Sequence, residues 1–158
     1  MPESAVPGTS TGEDLPSLAG QLIEATFTVG DESRRLFERA TWLDREYGEA
    51  LGQDGAFPAG MVEGFHLLSL LDAVIHPFFK FSPERWVSWN YGLDRVRFIR
   101  PVVDTDELHL RAEIAEVKAK EPGYLVRFDC AIHAERPEGL VLVAVADWLA
   151  FVTARTDS

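Results

Sequence analysis

The sequence predicts an α+β fold in which a long antiparallel sheet wraps around one central buried helix. Two observations carry this prediction. A nearly continuous apolar segment begins at Met61, and four strand-like runs, each of about ten residues or more, follow it. With 158 residues, 46% of them hydrophobic, the chain can bury one core but is too short for two ordinary domains. We therefore expect one domain over residues 18–154, between a disordered leader (1–17) and a short tail (155–158).

The part of the chain before the apolar segment is predicted to form a strand, a short helix and a loop. The run "LIEATFTVG" alternates apolar and polar residues, as a half-buried strand does. "DESRRLFERAT" follows with helical spacing, and we expect Asp31 to cap this helix while Leu36 and Phe37 face inward. "LDREYGEALGQDGAFPAG" is rich in glycine and charge and has no sustained period, which predicts a loop with about one helical turn.

The apolar segment from Met61 to about Phe79 is predicted to be the central helix. Pro77 limits the regular helix to about 16 residues, because proline disrupts the backbone hydrogen bonds of a helix interior. Apolar residues occur on nearly every side of this helix, and a helix of that kind is buried rather than laid on a surface.

The remainder of the chain is predicted to form four strands. Turn signals separate them at Pro101, "VDTDE", "EPG" and "RPEG". One strand, a short helix, a long buried helix and then four long strands describe the hotdog architecture. Long strands leave an open sheet edge, so we expect two such sheets to pair in a dimer. The four runs are "RWVSWNYGLDRVRFI", "ELHLRAEIAEVKAK", "GYLVRFDCAIHAER" and "LVLVAVADWLAFVTA".

The composition and net charge of the chain limit the kinds of molecule that it can bind and the compartment in which it is expected. The net charge of −11 argues against a nucleic acid or an anionic membrane, since both would repel an acidic surface. Asp72 and His76 interrupt the only run that approaches the length of a membrane span. Cys130 is the single cysteine and cannot form an internal disulfide, so the cytoplasm is the expected compartment. No metal-spaced Cys/His pair or glycine-rich phosphate loop occurs, so the sequence predicts no metal and no cofactor.

Two segments resemble a known family. "FPAGMVEGFHLLSLL" and "VSWNYGLDRVRFIRPVVDTDELHLRAEI" are similar to the MaoC-like hydratase/dehydratases, and most closely to their nodulation-protein-N-like branch. The resemblance extends over roughly residues 27–152. It implies an enzyme that takes acyl groups from CoA or an acyl carrier protein, with the acyl chain beside the central helix. In that family an Asp/His pair acts on water, and the glycine N–H of an Ala-His-Gly turn holds the thioester oxygen.

The sequence departs from the family at the segment that would carry the Asp/His pair. The chain passes from Thr41 directly to "WLDREYGEA", with Trp42 at the position of the catalytic His and Asp44 at a nearby acidic position. In the turn, Glu63 replaces the His and Gly64 is retained. We therefore expect a hydro-lyase with a rewired site. Isomerisation, cyclisation, thioester hydrolysis, a non-catalytic partner subunit of a hotdog heterodimer and a binding protein for a bulky hydrophobic metabolite are the alternatives.

Four polar residues and one glycine are the candidate site residues. Glu63 is the leading acid/base residue, or else a carboxylate that caps the helix. Gly64 offers its N–H as an oxyanion donor, or else packs closely against a strand. Asp44, His66 and Asp72 are weaker catalytic candidates. Their structural alternatives are a solvated carboxylate, a core histidine, and a carboxylate paired with an arginine or backbone group. Predicted substrate-binding aromatic residues are Trp42, Phe57, Phe65, Trp89 and Tyr91.

Overall fold

A computed structural model of the chain describes residues 12–46, 57–78 and 86–155. Its long strands and its central helix follow the predicted order. In chain order the elements are a 3-10 helix (Gly12–Leu18), β1 (Leu22–Phe27), α1 (Gly30–Ala40), α2 (Leu43–Glu46), β2 (Met61–Val62), α3 (Gly64–Ile75), β3 (Trp86–Phe98), β4 (Val102–Val103), β5 (Leu108–Lys120), β6 (Gly123–Arg136) and β7 (Gly139–Ala154).

The sheet is antiparallel and five-stranded, with the order β1-β5-β6-β7-β3. Burial alternates along β5 and β6, because successive side chains point to opposite faces of the sheet. The inward side chains, among them the fully buried Phe128 and Ile114, belong to the same apolar core as α3. The predicted architecture, a long antiparallel sheet around a central helix, is therefore confirmed.

The central helix α3 is shorter and more exposed than predicted. It has 12 residues and begins at Gly64. Met61 and Val62 form β2 instead, paired with β4. Its buried side chains lie on one broad face, which contributes to the core as predicted, whereas Phe65 outside that face is 73% exposed. Within the described residues, no helix has the length and apolar character needed to cross a membrane.

Helix α1 lies on the surface, and two predictions about it were wrong. Its N-cap residue is Val29, while Asp31 lies in the first turn and forms ion pairs with Arg34 and Arg35. Leu36 points outward and is 56% exposed. The helix has no buried residue, so ion pairs and partial contacts, rather than a buried face, hold it in place.

The chain before β1 is part of the folded domain from Gly12 onward. The predicted leader boundary at residue 17 falls inside the 3-10 helix, and Leu15 in that helix is fully buried. Two backbone hydrogen bonds, from Gly20 N to Ile114 O and from Ile114 N to Gln21 O, tie this segment to β5. Residues 1–11 of the predicted leader lie outside the described residues.

Candidate functional site

A cavity of about 160 Å³ lies at the N-terminal end of α3. Three of the predicted site residues line it: Glu63 precedes the helix, Asp44 comes from α2, and Phe57 comes from the segment before β2. Arg34 and Glu38 of α1 form another part of the wall. The fold therefore brings carboxylates from three separate parts of the chain to one cavity beside a helix N-terminus.

Glu63 occupies the N-cap position of α3 without capping it. Its backbone is extended (φ −61°, ψ 138°), and its side chain makes no capping hydrogen bond. Its carbonyl oxygen accepts from the N–H groups of His66 and Leu67, which begins the helical ladder. The capping alternative for the Glu63 carboxylate was therefore wrong, and the carboxylate contributes to the cavity wall.

Gly64 is the first residue of α3, and its N–H lies at the positive end of the helix dipole. The first N–H groups of a helix have no acceptor within the helix. A Cβ atom at Gly64 would lie 2.6 Å from Cζ of Phe98, so the Phe98 ring packs directly over this position. Close packing against a strand, one of the two predicted uses of Gly64, is thus observed. The oxyanion role stays a prediction.

Arg34 lines the candidate site, and the sequence analysis did not predict it there. Its guanidinium bonds Asp31 and Glu38 at 2.6 Å and Asp104 at 2.9 Å. Burial disfavours the charged form, but the hydrogen bonds that Arg34 donates to Asp104, Glu38 and Asp31 outweigh it and raise the pKa of Arg34 above its usual range. The spacing of Asp31 and Glu38, three residues before and four after Arg34, was the available signal. This charge fixes the α1 wall of the cavity.

His66 lies away from the cavity, in the core beside α1. Its Nε2 atom is 3.1 Å from Ser33 Oγ, and its ring stacks on Phe37 at 4.5 Å between centroids. Nδ1 is buried and has no hydrogen-bond partner among the described residues. Burial lowers the pKa of His66, and the charge of Glu38 opposes this only in part. These contacts favour the core-histidine interpretation of His66.

A pH-dependent stability follows from this burial. A histidine whose pKa is lower in the folded than in the unfolded chain binds fewer protons when folded, so stability falls as pH drops through the unfolded pKa of about 6.5. We expect the wild type to lose thermal stability between neutral pH and about pH 5, and His66→Gln to show a flatter profile. Melting temperatures of both proteins, measured across this pH range, test the prediction. Parallel profiles for the two proteins would contradict the assignment.

The remaining predicted residues lie in other places. Phe65, Asp72 and Tyr91 line a second cavity of about 370 Å³ between α3 and β3. No arginine or backbone N–H of the described chain bonds the Asp72 carboxylate, so the pairing predicted for it is not seen there. Trp89 stands apart, next to Phe151 at 5.8 Å between ring centroids. Trp42 is 67% exposed and has a left-handed backbone (φ 62°). The structure thus divides the predicted set among separate sites.

The sequence and the fold of the chain were compared with those of known proteins. No family model matches the chain. It is 28% identical to nodulation protein N of Rhizobium leguminosarum bv. viciae over 146 residues, covering 88% of this chain and 89% of that protein. It is 26% identical to nodulation protein N of Rhizobium meliloti, covering 87% and 88%.

Three solved structures share the fold at low sequence identity. The monoamine oxidase regulatory protein of Archaeoglobus fulgidus aligns with a TM-score of 0.69 at 20% identity, covering 94% of this chain and 97% of that one. An (R)-hydratase of A. caviae involved in PHA biosynthesis gives 0.61 at 18%, covering 84% and 94%. A point mutant of the fluoroacetyl-CoA-specific thioesterase FlK gives 0.58 at 13%, covering 85% and 86%. The chain is a hotdog-fold protein, and its predicted resemblance to the nodulation-protein-N-like branch of the MaoC-like proteins is confirmed.

Proposed function

We propose that the protein is an acyl-thioester enzyme of the cytoplasm whose active site is the cavity at the N-terminal end of α3. One observation carries the proposal: Glu63 and Asp44 line a single cavity at the N-terminal end of the central helix. Addition of water to an enoyl thioester needs a group that exchanges protons with water and carbon, and donors for a developing oxyanion. This end of the helix offers both.

Each residue has a defined role in the proposed hydration. The Gly64 N–H and the helix dipole stabilise the negative charge that develops on the thioester oxygen. Glu63 takes a proton from water as the water oxygen bonds to the β-carbon, and a proton is then delivered to the α-carbon. Asp44 is the second group that can exchange this proton. Arg34, held by its three carboxylates, keeps the α1 wall in position.

Hydration is the first reaction proposed, and thioester hydrolysis is the second. The solved structures with this fold include both an (R)-hydratase and a CoA thioesterase. In both reactions negative charge develops on the thioester carbonyl oxygen. The same N–H donors would therefore stabilise the transition state of either one. They differ in the carbon that water attacks, and the products therefore differ in mass.

The test is to incubate the purified protein with enoyl and 3-hydroxyacyl thioesters, both CoA-linked and carrier-linked, and to read the products by mass spectrometry. Gain or loss of one water identifies a hydro-lyase. Release of the free thiol identifies a thioesterase. If no substrate changes mass, the hydro-lyase proposal is wrong, and a mass-neutral rearrangement or a non-catalytic partner subunit takes its place.

We further propose that the protein forms a homodimer through the edge strand β3. Large apolar side chains stay exposed along this strand and next to it, and exposed apolar patches of this kind mark protein interfaces. Light scattering is expected to give the mass of two chains. Leu93→Asp is expected to shift the mass to that of one chain, whereas Leu22→Asp, the same change at an exposed position on the opposite edge strand β1, is not. The exposed apolar residues are Phe65, Trp89, Tyr91, Leu93, Phe98 and Ile99.

A further inference from the structure

The outer face of the sheet carries an unusual cluster of three side chains. Glu107 immediately precedes β5, His109 is the second residue of that strand, and Glu135 lies near the end of β6, across from Glu107. The backbone N–H of Glu135 donates to the Glu107 carbonyl oxygen at 2.9 Å, so the two glutamates are direct cross-strand neighbours. The ligand atoms of all three residues lie within 4.8 Å of one another.

The distances within the cluster are wrong for hydrogen bonds. His109 Nε2 lies 3.4 Å from Glu107 Oε1 and 3.7 Å from Glu135 Oε2. Hydrogen bonds of this type are about 2.7–3.2 Å long. Nε2 is shielded from solvent and has no hydrogen-bond partner within the described residues. The nitrogen thus faces two carboxylates without a hydrogen bond to either of them.

The two distances from His109 Nε2 suit an imidazole and carboxylates that bind one metal ion. Zinc binds imidazole nitrogen and carboxylate oxygen at about 2.0–2.2 Å in tetrahedral sites, which places neighbouring ligand atoms about 3.4 Å apart. The other ring nitrogen, Nδ1, lies 3.3 Å from Thr26 Oγ1 on β1. A hydroxyl that accepts the Nδ1 proton leaves the Nε2 lone pair directed at the carboxylates, which is the usual outer contact of a metal-binding histidine.

Electrostatics also favours a cation at this position. Two like charges directly opposite each other on neighbouring strands destabilise a sheet. Among the described residues, no lysine or arginine forms an ion pair with Glu107 or Glu135, and the His109 ring nitrogen lies within 4.0 Å of both carboxylates. A divalent cation would remove the repulsion and join the two strands.

We propose that Glu107, His109 and Glu135 form a binding site for a divalent transition-metal ion of the zinc class. The site ties β5 to β6 and, through Thr26, to β1. It is independent of the proposed acyl-thioester site, because none of its residues lines that cavity. Its function is to bind the ion and to stabilise this end of the sheet.

The test uses the full-length protein after removal of metals with EDTA, at about pH 7.5, because metal affinity depends on pH. Calorimetric titration with zinc chloride is expected to show one saturable site, and zinc is expected to raise the melting temperature. Glu135→Gln should weaken zinc binding at least about tenfold and remove the thermal shift. His109→Ala should do the same. Glu138→Gln, an equal loss of charge in the adjacent turn, should behave as wild type.

A measurement without metal separates this site from a plain ion pair. If the cluster is a metal site, Glu135→Gln relieves carboxylate repulsion and is expected to raise the melting temperature in EDTA. If a protonated His109 already neutralises the glutamates, the same variant lowers it. Absence of saturable zinc binding by the wild type, or equal affinity in Glu135→Gln and Glu138→Gln, would overturn the proposal.

Discussion

Glu63→Gln is expected to lower the turnover of the accepted thioester by a factor of about 10²–10⁴, the usual contribution of a general acid or base. Glutamine keeps the size of the side chain and its place in the cavity wall but cannot exchange a proton. Because the carboxylate makes no capping hydrogen bond, its loss should leave the start of α3 intact. Initial rates with the substrate identified by mass spectrometry provide the measurement.

The control is Glu24→Gln, which removes the same charge from an exposed position on β1. Both variants should keep the wild-type circular dichroism spectrum and melting temperature. Asp44→Asn distinguishes the two carboxylates of the cavity: a smaller loss than that of Glu63→Gln assigns Glu63 the main proton transfer. Unchanged turnover in Glu63→Gln would remove this residue from the mechanism.

Gly123→Ala is expected to have the largest effect on stability. A methyl group at this position would collide with the Val152 carbonyl oxygen and would lie 2.8 Å from Cα of Thr153. Both atoms belong to the backbone of β7, so the strand itself would have to move, and no side-chain rotation could relieve the contact. We expect the free energy of unfolding to fall by roughly 3 kcal/mol or more. Chemical denaturation followed by circular dichroism measures it.

The matched control is Gly92→Ala in β3. There the nearest atom to the added methyl group is Cδ1 of Leu149 at 3.8 Å, an ordinary contact distance. The stability of this variant should change by less than about 1 kcal/mol. A similar loss in both variants would show that the close approach at Gly123 does not control the pairing of β6 with β7.

The strands were predictable because their pattern is local. Apolar and polar residues alternate along β5 and β6, and this alternation shows which side chains face the core. No knowledge of contacts between distant parts of the chain is needed to predict it. The start of α3 was not predictable in this way. Met61 and Val62 are apolar enough for a helix, but they pair with the two residues of β4, about forty residues further along the chain. The outward position of Leu36 likewise depends on packing that the helical period does not show.

Only part of the candidate site could be predicted from the sequence. Glu63 and Gly64 became candidates through the family resemblance, and the fold then placed Asp44 beside Glu63 in one cavity. No local sequence pattern predicts that Arg34 contacts Asp104, which lies seventy residues further along the chain. The hydrogen bond between them nevertheless holds the α1 wall of the cavity in place. Glu135 and Glu107 also meet only through the pairing of β5 with β6, and for this reason a search for closely spaced metal ligands predicted no metal site.

The two irregularities of β3 have a consequence for assembly. The register of this strand against β7 shifts between Asn90 and Gly92 and again between Asp94 and Arg97, where Arg95 adopts a left-handed backbone. A strand that bends at two places offers a free ladder of N–H and C=O groups only over short segments. Another chain can therefore match it along a limited length and in few registers. Growth into an extended fibre is disfavoured, and closed association is left as the accessible outcome.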